Sequence, residues 1–144
     1  MDDKTLVEHA LKARSHAYTP YSHYAVGAAL LTSDGGVYGG CNIENAAYTP
    51  SNCAERTAFF RALFDGHRDF VAIAVVGGPA DKPASDWCAP CGVCRQVMRE
   101  FCDPNSFRVI MGRAEGEPKS YLLRELLPES FGPQDLGKPD PQAC

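Results

Sequence analysis

Seven cysteines are spread along these 144 residues, and three of them fall where two helices are expected to begin. That placement limits the fold more than any other feature, because it asks two helix starts far apart in the chain to serve one purpose. Pro90 suits a first helical turn, where a missing N–H costs nothing. Cys94, Val97, Met98 and Phe101 then follow at i, i+3, i+4 and i+7 as one apolar stripe. Cys91 and Cys94 stand three apart at that start, so both sulfurs face the same side of its first turn. Cys53 holds the equivalent place in an earlier helix, with Asn52 as a good N-cap, Glu55 three residues on and Gly66 in the stopping position.

Helix N-termini carry about +0.5 of an elementary charge, which favours thiolate over thiol. Two such ends brought face to face would gather three thiolates around a zinc ion. Three protein ligands leave the fourth tetrahedral position open, which separates catalytic from structural zinc. Glu55, two residues after Cys53, would point its carboxylate toward a water in that position without itself being a ligand.

Other readings of the same cysteines remain. Cys88 and Cys91 form a second, overlapping C-x-x-C, so a closed site of four cysteines is physically conceivable, as is a redox dithiol. Cys88 precedes Pro90 and should not share the face of Cys91 and Cys94. Cys41, Cys102 and Cys144 read as lone thiols without chemistry, and His9, His16, His23 and His67 lie apart from the cysteine motifs.

The rest of the chain alternates helices and strands. Leu6, Ala10, Ala13 and Ala17 mark a helix over residues 5–17. Strands are expected over 24–32 and 37–41, joined by the turn Ser33-Asp34-Gly35-Gly36. Further strands are expected over 70–76 and 107–111, with a Gly/Pro/Asp-rich loop over 77–89 and a strand end with a short helix over 121–127. From about residue 132 the Pro/Gly-rich tail reads as extended. This order implies one layered α/β domain over 1–144.

Charge narrows the partners. Lys and Arg number 14 against 18 Asp and Glu, a net −4 with no basic run, which argues against nucleic acid because phosphate neutralisation dominates that affinity. The stretch from Ala25 to Leu31 is far shorter than the ~20 apolar residues that cross a bilayer. No basic, apolar leader follows Met1, so a cytoplasmic location and no membrane partner are expected.

Cys53-Ala54-Glu55 and Pro90-Cys91-Gly92-Val93-Cys94 resemble the paired signatures of zinc-dependent nucleoside deaminases. Tyr21 to Leu31, Gly40 to Ala46, Arg95 to Met98 and Leu126 to Phe131 extend the resemblance to the small homotetrameric cytidine deaminases, over roughly residues 5–136. The resemblance implies a three-layer α/β fold, a five-stranded mixed sheet flanked by helices, and a tetramer whose subunits share active sites. It implies hydrolytic deamination of free cytidine and deoxycytidine, with Zn²⁺ on Cys53, Cys91 and Cys94. Glu55 would carry protons, Asn42 and Glu44 would hold the ribose hydroxyls, and Ala54 would meet the base through its backbone. Arg56 would hydrogen-bond the ligand sulfurs, Tyr24 would flank the pyrimidine where many relatives carry Phe, and Phe131 would reach a neighbour's site.

Overall fold

The computed structural model describes residues 1–137. Its centre is a five-stranded sheet of β1 (Tyr24–Thr32), β2 (Val37–Cys41), β3 (Phe70–Pro79), β4 (Arg108–Met111) and β5 (Lys119–Leu122), in the order β2-β1-β3-β4-β5. Only β3 and β4 pair in parallel; the other neighbours are antiparallel, so the sheet is mixed. A parallel pair cannot be closed by a tight turn. Its crossover here carries α3 (Gly92–Phe101), and the helix that opens with two of the cysteines is thereby laid on the sheet.

β1 and β3 are apolar at nearly every position because both of their faces are covered. Successive side chains alternate between faces. Ala28, Leu30, Ile73 and Val75 pack with Ala54, Ala58 and Phe59 of α2 (Ala54–Phe64) and with Cys94 and Met98 of α3. Ala29, Leu31, Ala72, Ala74 and Val76 pack with Leu6, Val7 and Ala10 of α1 (Asp3–Arg14). The result is three layers, with α1 alone on one face and α2 and α3 together on the other. The shared face puts the starts of α2 and α3 within reach of each other.

Several boundaries differ from expectation for physical reasons. α1 begins at Asp3 because Asp2 caps it, its side chain accepting from the Thr5 N–H at 2.8 Å. β3 runs on to Pro79 because it keeps pairing with β1 as far as Tyr24. Asn52 does not cap α2: the cap position is Cys53, and the Asn52 amide donates instead to the Thr57 hydroxyl at 3.1 Å. β5 and the short α4 (Leu123–Leu126) fill the segment expected to hold a strand end and a helix. The expected extended tail contains a 3-10 turn over Pro133–Leu136, while its remainder, with Cys144, lies outside the described residues.

Candidate active site

The sulfurs of Cys53, Cys91 and Cys94 all lie within 4.8 Å of one another. Cys53 and Cys91 are the N-cap residues of α2 and α3. Both have extended backbone and make no side-chain capping bond, so neither sulfur is spent on its own helix. These two sulfurs stand 3.7 Å apart, and buried Cys94 reaches the same point from the first turn of α3. Among the described residues this is the only group of three or more metal donors. Cys41 and Cys102 are buried elsewhere, and no histidine joins the cluster.

The charge balance around the sulfurs suits a cation. The Cys53 thiol is pulled down to about 5, first by a hydrogen bond with the Cys94 thiol and then by Arg56, whose Nη2 donates to Cys53 Sγ at 3.3 Å. The same Cys53 sulfur holds the proton on Cys94 more tightly. No carboxylate among the described residues lies within ion-pair distance of Arg56, so its charge is committed to the sulfurs. Three soft donors at one point, one of them readily ionised, match what zinc accepts.

Glu55 follows Cys53 into the first turn of α2 and is only 4% exposed. Desolvation pushes its carboxyl up to about 7, and the charge on Cys53 adds to the effect. A carboxyl poised there can both take and return a proton near neutral pH. It opens into a cleft of about 250 Å³ that brings Cys53, Ala54 and Cys91 together with Asn42 and Glu44.

Glu44 and Asn42 on that wall are pre-set. Glu44 Oε1 accepts from the N–H groups of Tyr21 at 3.0 Å and Ser22 at 3.1 Å, and the bonds from Ser22 hold the carboxyl below its ordinary range. Asn42 Oδ1 accepts from Val26 N–H at 2.9 Å and its Nδ2 donates to the Tyr24 carbonyl at 2.8 Å. One amide hydrogen of Asn42 is left for a ligand. β2 can deliver both residues to the start of α2 because Gly40 has no side chain: a Cβ there would overlap the backbone of Ala54 and Ala58.

Other expected site residues sit at the edges. Cys88 lines the cleft yet stays outside the thiol cluster, and burial pushes its thiol up to about 11. Tyr24 does not line the cleft; its hydroxyl donates to Asp86 at 3.3 Å, and burial raises it to about 12. Phe131 is 59% exposed and does not line this chain's own cleft. Two contributors carry no local motif. The Thr57 hydroxyl donates to the Cys41 carbonyl at 2.9 Å and lies 3.1 Å from that of Cys53, while Arg95 ties the Pro90 carbonyl at 2.8 Å to that of Leu126 at 2.7 Å. Arg95 belongs to the Arg95-to-Met98 segment of the family resemblance; for Thr57 no signal in the sequence stands out.

A groove of about 310 Å³ between α1, β2 and α2 is larger than the cleft, but it holds neither a thiol cluster nor a buried carboxylate. Chemistry, and not size, singles out the cleft. Three thiolates would leave the fourth position of a zinc ion open to water, and with a proton-carrying carboxyl beside it the arrangement suits an enzyme that splits bonds with water.

Comparison with known proteins narrows this class. The profile of the cytidine and deoxycytidylate deaminase zinc-binding region matches residues 1–111. A cytidine deaminase of Sporosarcina psychrophila is 49% identical over 136 residues, 94% of this chain and 96% of its own. One from Halalkalibacterium halodurans is 48% identical over 94% of this chain and 98% of its own. The crystal structure of cytidine deaminase from Burkholderia pseudomallei superposes with a TM-score of 0.83 at 47% identity, covering 91% of this chain and all of the other. The chain belongs to the cytidine and deoxycytidylate deaminase family, and its thiol cluster lies in that family's zinc-binding region.

Proposed function

We propose that this chain is a cytidine deaminase, converting cytidine and deoxycytidine to uridine and deoxyuridine with release of ammonia in pyrimidine salvage. The observation that carries the reading is the buried Glu55 carboxyl opening into the cleft at the three-thiol cluster. Cys53, Cys91 and Cys94 would hold zinc, and zinc bound there would supply a Lewis acid that lets water ionise near pH ~7. Glu55 takes one proton from the attacking water and delivers it to ring N3 as oxygen adds to C4. It then passes the second proton to the departing amine, so that water and cytidine become uridine and ammonia. Arg56 offsets the negative charge of three thiolates, which exceeds that of the divalent ion by one.

Glu44 and the free amide hydrogen of Asn42 take the ribose hydroxyls, and the Ala54 backbone meets the base. Tyr24 is not part of the cleft wall but adjoins Cys88, which is, and from there flanks the pyrimidine edge. Phe131 and its exposed position fit a homotetramer in which a neighbour completes the site. The chain acts as one catalytic domain in the cytoplasm, on a free nucleoside and not on a polyanion, in keeping with its net charge of −4.

The test is direct. The purified protein is incubated with cytidine, deoxycytidine, cytidine monophosphate and blasticidin S while ammonia and bound metal are measured. Ammonia from the two nucleosides is expected. Zinc-loaded protein that releases none from either would sink the proposal.

A further inference from the structure

Arg99 lies on α3, five residues beyond Cys94, and is 9% exposed although no carboxylate among the described residues pairs with it. A buried guanidinium is costly unless its hydrogen bonds are made. Here they run to one short segment. Nε donates to Ser130 Oγ at 3.0 Å and Nη2 to Gln134 Oε1 at 3.1 Å, while Nη1 is buried with no partner among the described residues. Gly132 rests against the guanidinium itself, so that a Cβ there would overlap its carbon and both terminal nitrogens. One turn earlier on the same helix, Gln96 donates to the Phe131 carbonyl at 2.9 Å.

These contacts hold the backbone on both sides of Phe131. Gly132 and Pro133 are buried behind it, the Gly132 N–H donates to Asp135 at 2.8 Å, and the backbone at Glu129 bends through the left-handed region at φ 49. The Phe131 ring stays 59% exposed at the centre of this fastened segment. An exposed aromatic on an otherwise pinned backbone is pre-set for a partner, because the ordering cost has already been met within the chain. α3 also carries Cys94 and begins at Cys91, so one helix sets both the metal donors and the base of the tail.

We infer that Arg99 is a positioning residue for catalysis: with Gln96 and Gly132 it clamps the segment 130–134, so that Phe131 is presented at a fixed place to the active site of a neighbouring copy. This rests on the proposed sharing of sites between subunits. Arg99 touches no reacting atom, and its effect passes wholly through Phe131. Lysine at this position could not replace it, since a single ammonium cannot bond Ser130 and Gln134 while lying flat against Gly132.

Four variants test the clamp, each measured for kcat and KM on cytidine, for zinc content and for helix content by circular dichroism: Phe131→Ala, Arg99→Met, Gly132→Ala, and Arg99→Met combined with Phe131→Ala. Gly132→Ala keeps the guanidinium and displaces the tail by sterics alone, so it stands in should Arg99→Met fold poorly. Expected are losses of at least ~10-fold in kcat/KM for the three single variants, with zinc and helix content unchanged, and a double variant no worse than Phe131→Ala. Arg99→Lys should recover only a minor part of the loss. If Phe131→Ala is impaired while Gly132→Ala and Arg99→Met match the parent protein, the clamp is wrong and the shared site stands. Additive losses in the double variant would also overturn it, since Arg99 would then act by another route. An unimpaired Phe131→Ala removes the shared site and the clamp with it.

Discussion

At the residue scale, Glu55 and Glu44 are two carboxylates set apart by their surroundings. Glu55→Gln should keep zinc and lose at least ~10²-fold in turnover, the low end for a general acid or base; zinc analysis beside steady-state rates decides, and lost zinc would make Glu55 a ligand. The same variant reports on burial in metal-free protein. The Glu55 pKa is raised from 4.5 to about 7, so between those values the folded chain keeps a proton that the unfolded chain releases. Stability therefore falls as pH rises through that window, by on the order of 3 kcal/mol, and the penalty is absent below it. Metal-free Glu55→Gln should melt higher than its parent at pH ~8 and show little of that gain at pH ~4. Glu44 is the opposite case, ionised and held by Tyr21 and Ser22. A substrate lacking the 3′-hydroxyl leaves its second oxygen, Oε2, without a donor, so 3′-deoxycytidine should be disfavoured by up to ~10⁴-fold in kcat/KM and Glu44→Ala should narrow that gap. Equal kcat/KM for cytidine and 3′-deoxycytidine in the parent protein would take Glu44 out of the substrate site.

At the element scale, the start of α3 and the tail that α3 carries make separate predictions. Cys88 lies in the loop before the helix, outside the cluster, so Cys88→Ser should leave zinc content and activity nearly unchanged, whereas Cys91→Ser and Cys94→Ser should lower both. Equal zinc loss in all three would point to a closed site of four sulfurs. At the other contact of α3, the buried Arg99 guanidinium meets only neutral acceptors among the described residues. Gln134→Glu turns one of them into a charge-assisted partner and should raise stability by about 1 kcal/mol, read as a higher denaturant midpoint at unchanged m-value. A lower midpoint would mean that the charge is already compensated. The elements themselves were legible to different degrees. The bounds of β1 and β2 agree with expectation because the apolar run and the turn residues are local signals. The start of α2 differs: the cap position falls one residue later, on Cys53, and Asn52 turns its amide to the Thr57 hydroxyl, a contact that no local pattern reveals.

For the whole molecule, zinc held by the thiol cluster would join the starts of two helices on one face of the sheet and should report on the fold. Metal that binds only the folded chain stabilises it by mass action, so chelation should lower Tm and added zinc should restore it. The loss should be easier in acid, because protons compete for the thiolates. A Tm indifferent to chelation, with zinc shown to have left, would place the metal outside the fold's stability. The order of helices and strands, the pairing of Cys91 with Cys94 and the place of Glu55 beside Cys53 were all determined by the sequence itself, because capping, periodicity and turn chemistry act over a few residues. That Cys53 meets Cys91 at 3.7 Å, that Glu55 is buried at the wall of the cleft and that Arg99 lies buried against Gly132 were decided only by tertiary structure. These depend on the β2-β1-β3-β4-β5 order and on the crossover that lays α3 beside α2, and such long-range closure leaves no periodic trace in the chain.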